Sequence, residues 1–417
     1  MDILARRLGL RDAVVIGLGS MLGAGVFVVF GPATAAAGSG PGLLLALALA
    51  GFVAFCNATS SARLAARYPE SGGTYVYGRE RLGDFAGFLA GWGFVVGKTA
   101  SCAAAALTIG SYLWPAHPRA VAVAVVVAVT AVNVRGVTKT ARATRWLVTV
   151  TLAVLATVAV VGLVGGPAEA VPVVDAKGTD FRGVLAAAGL LFFAFAGYAR
   201  IATLGEEVRE PGRTIPRAIP LALGLVLLIY AVTAGVALAV LGTGRLAAST
   251  AALADVVDVV GVSALSGAVR VGAAVAVTGV LLALVAGVGR TVLAMARRRD
   301  LPAVLDAVHP RYRVPHRAEL AVAVAVIALV SLGDIRDAIG FSSMTVLVYY
   351  AIANASAWTL GRDPTRRLPV QLLAVLGLAG CVLLALALPR ATVLAGFGVL
   401  AVGALWFALR RWWGRRG

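Results

Sequence analysis

The chain has 417 residues, of which 60% are hydrophobic and 13% charged, and its formal net charge is +18. A soluble chain holds roughly 25% charged residues and a single core stops growing near roughly 250–300 residues, so this apolar surplus excludes a soluble globular protein and calls for a bilayer. The basic residues sit in short bursts between apolar segments and form no aromatic-interleaved patch, which excludes a nucleic-acid binder.

A helix that crosses a membrane needs about 20 apolar residues. Twelve segments qualify, at 12–36, 41–62, 82–115, 118–134, 146–166, 183–205, 218–242, 264–296, 318–333, 336–360, 369–388 and 391–409. With Arg6, Arg7 and Arg11 placed in the cytoplasm, the inward connections and the tail hold 28 of the 37 basic residues and the outward connections hold seven. The remaining two, Lys98 and Arg200, fall inside segments 3 and 6. The sequence therefore predicts an all-α, multi-pass protein of the cytoplasmic membrane with both termini inside. No short apolar run with a small-residue cleavage site opens the chain, so segment 1 is expected to be a retained helix.

Segment 1 is interrupted by the run Gly17-Leu18-Gly19-Ser20-Met21-Leu22-Gly23-Ala24-Gly25. A dinucleotide-binding reading of these glycines needs a preceding strand and a βαβ unit, and an apolar helix surrounds them instead. Gly19 and Gly23 make a GxxxG spacing, which supports close helix packing. The preferred reading is local unwinding, because each glycine weakens a helix by about 1 kcal/mol. Unwinding would free backbone N–H groups near Gly23, and with the positive end of the helix dipole these attract a carboxylate. Segment 6 is interrupted at Phe195-Ala196-Gly197-Tyr198, where freed carbonyls around Gly197 would attract an ammonium.

Segments 1 and 6 are both broken and segments 3 and 8 are both long, each pair five segments apart. An odd-numbered repeat must be inverted in the membrane, and matched broken helices point to a midplane binding site. The expected organisation is a first inverted repeat at 1–170, a second at 171–362, and two further helices with a cytoplasmic tail at 363–417. Gly83, Gly87 and Gly91 repeat the GxxxG spacing in segment 3 and are expected to form a packing face.

Catalysis has no footing. His117, His309 and His316 lie in connections, no Ser/His/Asp set appears, and Cys56, Cys102 and Cys381 have no metal spacing. Neither a cofactor nor a metal is expected. Glu206, Glu207 and Glu210 lie close in sequence to Arg209, Arg213 and Arg217, and this reads as a cytoplasmic salt-bridge cluster that closes a gate or caps a helix.

Four stretches in order are similar to the amino acid–polyamine–organocation superfamily of permeases. They are Gly19-Ser20-Met21-Leu22-Gly23-Ala24-Gly25-Val26-Phe27, Arg67-Tyr68-Pro69-Glu70-Ser71-Gly72-Gly73-Thr74-Tyr75, the segment 6 stretch through Glu206-Glu207 and Pro211, and Arg290-Thr291-Val292-Leu293-Ala294-Met295-Ala296-Arg297 with Asp300-Leu301-Pro302 following. The resemblance covers at least the first ten segments. It implies two inverted five-helix repeats with helices 1 and 6 unwound at mid-membrane, and transport of an amino acid by alternating access. It implies that the substrate carboxylate meets backbone near Ser20, Met21, Gly23, Ala24 and Gly25, and the ammonium meets carbonyls near Leu190, Phe193 and Ala196, beside Gly197. It also implies a side-chain pocket near Val95, Lys98 and Thr99 and near Ser343 and Thr345. Some members carry a lysine in helix 5 in place of a sodium ion; the matching residue here is Thr151. Many carry an acidic or polar residue after the helix 6 break; here Ala199 and Arg200 stand there.

Two basic residues inside the apolar segments are candidates for coupling or gating. Arg200 is six residues before Glu206, near enough for a long side chain to pair with Glu206 or Glu207. Lys98 lies 16 residues after Leu82 and 17 before Pro115, roughly 25 Å from either end, too far to reach an interface. It must face the substrate pathway, reach carbonyls at a helix break, or give up its proton, and it is the one plausible titrating group of the transport core. The expected cargo is a neutral amino acid with protons or a counter-substrate. A transporter-like sensor is disfavoured by short termini and modest loops, and a polyamine or other cation by the lack of an acidic residue near the segment centres.

Overall fold

The computed structural model describes residues 8–68, 72–136, 141–166, 180–198, 201, 208–361 and 370–413. Helices account for nearly all of them, and the one extended pairing among the described residues is a parallel bridge between Leu8 and Val208. Among the described residues ten helices are long and apolar enough to cross a membrane, and the apolar helix Pro118–Val134 is shorter. His316–Leu332, at 17 residues, occupies the place of segment 9 and begins at His316, which the sequence reading left in a connection.

Segment 1 is divided into α1 (Leu10–Met21), α2 (Ala24–Val28) and α3 (Phe30–Ala37). α4 (Gly40–Arg67) opens on Ser39, whose hydroxyl accepts from the Gly42 amide in N-cap fashion, with Pro41 in the first turn where its missing N–H costs nothing. α5 (Thr74–Leu82) lies where the sequence reading placed only a connection, because its nine residues are too few and too polar to register as a span. Its Tyr75, Val76 and Tyr77 are buried. α6 (Asp84–Leu113), α7 (Pro118–Val134) and α8 (Ala141–Gly165) follow. α9 (Phe181–Phe195) ends in a 3-10 turn over Ala196–Tyr198.

α10 (Pro211–Ala248) is longer than expected and includes a kink at Gly242, whose φ is 68°. α11 (Ala252–Val260) is a second helix placed in a connection by the sequence reading; Leu253, Val256 and Val257 form its buried face at helical spacing. α12 (Ser263–Arg297), α13 (His316–Leu332), α14 (Ile335–Trp358), α15 (Val370–Ala387) and α16 (Arg390–Trp413) complete the fold.

The glycine face expected on α6 is divided in function. Gly87 and Gly91 pack tightly: a Cβ on Gly87 would sit 2.8 Å from the Tyr75 carbonyl oxygen, and one on Gly91 would sit 2.9 Å from the Met295 sulfur. Gly83 meets nothing; with φ at 100° it is the turn that folds α5 back against α6. That turn brings α5 to Asp300, a fully buried carboxylate just past α12. Asp300 Oδ2 accepts from the Tyr75 hydroxyl at 2.6 Å and from Arg79 at 2.8 Å, and Oδ1 pairs with Arg410 of α16 at 2.5 Å. Burial, and then the hydrogen bond to Asp300, hold the Tyr75 phenol well above its ordinary pKa.

Candidate functional site

α1 ends at Met21 because Leu22, with ψ at 63°, and Gly23, at φ −120° and ψ −144°, leave helical geometry before α2 begins. Within this break the Leu22 amide still bonds to the Leu18 carbonyl at 2.7 Å, and the Gly23 amide bonds to the Met21 carbonyl at 2.8 Å. Ala24 and Gly25 open α2, where a helix has no carbonyl a turn earlier to receive their amides.

The turn after α9 lies against this break, backbone to backbone. A Cβ on Gly197 would sit 2.1 Å from the Ser20 carbonyl oxygen and 2.8 Å from the Met21 nitrogen, and one on Gly25 would sit 2.6 Å from the Ala194 Cα. Tyr230 of α10 joins the two: its buried hydroxyl lies 2.7 Å from the Met21 carbonyl and 3.0 Å from that of Ala194. Tyr350 of α14 donates to the Ala196 carbonyl at 3.2 Å. Its ring lies 5.0 Å from that of Tyr198, which is buried.

Ser343 sits seven residues before Tyr350, on the same face of α14. Its hydroxyl is buried and unpartnered among the described residues. Thr345 faces α6 instead, within 2.2 Å of where a Gly97 Cβ would stand, and its hydroxyl bonds to its own helix at Phe341 and Ser342. The Thr99 hydroxyl likewise bonds back to Val95, and that of Ser20 to Ile16. Leu190 is buried and Phe193 half-buried on α9. Gly23 serves packing as well as the break, since its Cβ would meet Val280 of α12 at 2.9 Å.

The family model for amino acid permeases matches residues 8–409. The chain belongs to the amino acid permease family. An uncharacterized transporter of Mycobacterium tuberculosis is 62% identical over 410 residues, covering 98% of this chain and 92% of that protein. The methylthioribose transporter of Bacillus subtilis is 27% identical over 380 residues, and a branched-chain amino acid permease of the same organism is 25% identical over 378. Each of these alignments covers 84% of this chain and 80% of the relative. The permease is thus a transporter and not an enzyme.

In the permease Lys98 lies 14 residues after the start of α6 and 15 before its end. Gly91, Val95, Lys98 and Cys102 recur on one stripe of that helix. Gly91 meets Met295 of α12, and Tyr112, four turns beyond Lys98, donates to the Phe27 carbonyl of α2 at 2.9 Å. The stripe that bears Lys98 therefore faces α12 and the broken segment. Lys98 is half-buried, and its ammonium makes no hydrogen bond or ion pair among the described residues.

Thr151 bonds back to the Leu147 carbonyl at 2.9 Å and lines a cavity of about 30 Å³ with Leu22, Thr144, Gly279 and Val280. The cavity sits between α1, α8 and α12, directly behind the break, and has room for about one water. Arg200, Glu206 and Glu207 lie outside the described residues, as does Ala199. The sequence reading missed Tyr230 and Tyr350. A tyrosine in an apolar helix centre signals a buried hydroxyl that needs an acceptor, but nothing in the spacing says which carbonyl it finds.

Proposed function

We propose that this permease is a secondary transporter that moves a neutral amino acid across the cell membrane by alternating access, with both termini cytoplasmic and two inverted five-helix repeats forming the transport core. The observation that carries the reading is the meeting of two interrupted helices backbone to backbone, Gly197 on Ser20 and Gly25 on Ala194. Irregular backbone inside a membrane is tolerated only where protein or a lined cavity satisfies it. Here two irregular stretches converge and are held by the hydroxyls of Tyr230 and Tyr350. The α-carboxylate is assigned to the backbone of Ser20, Met21, Gly23, Ala24 and Gly25, with the amides of Ala24 and Gly25 as its donors in this conformation. The α-ammonium is assigned to carbonyls of Leu190, Phe193 and Ala196 beside Gly197. Lys98, Thr99, Ser343 and Thr345 border the substrate side chain.

The substrate is assigned as neutral because no acidic residue stands near the centres of the apolar segments. Lys98 is assigned the coupling role and cycles between protonated and neutral states; Thr151 marks the cavity behind the break, and Arg200, Glu206 and Glu207 are assigned to the cytoplasmic gate. Purified protein in proteoliposomes tests the function. Uptake of radiolabelled neutral amino acids, rising with an imposed pH gradient, is the expected result. Binding without flux would make the protein a sensor. Flux of polyamines, or of a methylthio sugar such as the Bacillus relative's name specifies, in place of amino acids would refute the substrate class.

A further inference from the structure

α12 ends in a Schellman arrangement. The Asp300 amide bonds to the Met295 carbonyl at 2.8 Å and the Arg299 amide to that of Ala296 at 2.8 Å. The residue in the left-handed position is Arg299, with φ at 58°. Glycine fits that conformation without strain and is the usual choice, so an arginine there points to a use for its side chain. That side chain is exposed and has no acidic partner among the described residues.

Two more exposed arginines without a carboxylate lie on the segments that meet there. Arg298 is exposed, with its guanidinium 5.5 Å from the Tyr75 ring centre. Arg411 is exposed on the last turn of α16. That turn is fixed against the end of α12, because Trp406 donates to the Asp300 carbonyl at 2.9 Å and Arg410 to the Arg299 carbonyl at 2.5 Å. The local acids are already engaged: Asp300 by Arg79 and Arg410, and Asp306 by Arg297. The same last turn of α16 carries Trp412, 48% exposed. An indole next to free guanidiniums at the end of an apolar helix is the composition of a membrane interface.

We propose that Arg298, Arg299 and Arg411 form a binding site for the phosphate of an anionic phospholipid in the cytoplasmic leaflet, with its acyl chains along the apolar face of α16. Guanidiniums match phosphate in a bidentate fork, and each basic side chain near an anionic surface strengthens attraction roughly fivefold. The fit is to a lipid and not to a free anion, because the exposed Ala408, Ala401 and Phe397 lie at helical spacing on the face of α16 below Arg411.

The test uses the full chain in nanodiscs of phosphatidylcholine containing a minor fraction of pyrene-labelled phosphatidylglycerol, with labelled phosphatidylcholine as the reference. Energy transfer from tryptophan reports lipid enrichment. The wild type is expected to enrich the anionic lipid several-fold, and Arg298→Gln/Arg299→Gln/Arg411→Gln to lose that enrichment. Arg299→Gly separates the site from the fold: it relieves the left-handed strain, so its thermal midpoint should hold or rise while enrichment falls. Arg213→Gln/Arg313→Gln/Arg317→Gln removes the same charge elsewhere and should keep enrichment. Equal enrichment of both lipids by the wild type, equal loss in the control variant, or full enrichment by Arg299→Gly would each overturn the site. Competition by inorganic phosphate as effective as by the lipid would replace it with a free-anion site.

Discussion

Gly197 stands so close to Ser20 that a side chain on it would overlap the Ser20 carbonyl oxygen, the would-be Cβ lying 2.1 Å away. The neighbour is backbone and cannot rotate aside. Gly197→Ala must therefore push the turn after α9 away from the break in α1, at an overpacking cost of about 1–3 kcal/mol. Transport should fall sharply while the protein still inserts. Gly235→Ala on α10 meets open space and should be neutral or raise stability by about 0.4–1 kcal/mol. Unimpaired flux in Gly197→Ala would detach the two breaks from function.

Gly23 has two claims on it, unwinding and packing, and Val280 allows them to be separated. Gly23→Ala should weaken transport, since its Cβ would come within 2.9 Å of a Val280 methyl. Val280→Ala in the same chain removes that methyl. If the double variant regains substrate affinity in a binding assay, the glycine serves packing alone. Continued loss is the expected outcome, because a methyl at the break also obstructs a carboxylate.

The sequence pointed to the places where α1 and α9 end, at a stretch with four glycines in nine residues and at the run Phe195-Ala196-Gly197-Tyr198. The multi-pass, all-helical character was legible from lengths of apolar chain between bursts of charge, though ten rather than twelve helices among the described residues are long and apolar enough to span. What the sequence hid was relational. α5 and α11 are short helices whose burial depends on partners far along the chain, such as Asp300 for Tyr75 and Gly165 for Val260. Tyr230 and Tyr350 find their carbonyls only once α10 and α14 stand beside the turn. Asp300 reads as a loop residue, yet it collects Tyr75, Arg79 and Arg410 from positions up to 225 residues away.

Asp300→Asn should be costly. It removes the negative charge but leaves Arg79 and Arg410, 18% and 29% exposed, facing a neutral amide. Breaking a fully buried pair costs about 3–5 kcal/mol, and partial access of both arginines to water puts this change toward the lower end. A detergent thermal melt should show a clear drop. An unshifted midpoint would mean that the apolar packing of α5 and α16 holds this corner without the carboxylate.

Asp258 on α11 makes stability depend on acidity. Burial alone would raise its pKa, but hydrogen bonds from Ser266 and Arg270, with the Arg270 charge, together outweigh it and leave the pKa lowered. A depressed carboxylate stabilises the fold above its unfolded pKa and loses that contribution as pH falls through the folded value. Acid should therefore loosen the junction of α11 and α12, seen as faster hydrogen exchange over Ala252–Val260. The effect should be modest, because the Asp258 side chain is 44% exposed, and Asp258→Asn should show fast exchange at every pH. Equal pH dependence in the variant would assign the loosening to another group.

Lys98 carries the last prediction. It lies about 20 Å from either end of α6, beyond the reach of its own side chain to an interface. Its stripe faces α12 and the broken segment, and no carboxylate meets it among the described residues. An uncompensated lysine at mid-bilayer costs at least about 2.5–3.5 kcal/mol, so its charge must be met by a transient partner or given up. Both would happen in a cycle where substrate or carbonyls approach in one state and withdraw in the next. A static tether to the broken helices would make the same contacts without releasing the proton. Lys98→Met keeps the volume and removes the charge. If Lys98 couples transport to protons, the variant should exchange labelled for unlabelled substrate across vesicles yet fail to accumulate it under an imposed pH difference. Accumulation at the wild-type level would end the coupling role, and loss of exchange and binding together would make Lys98 a tether or a direct substrate contact.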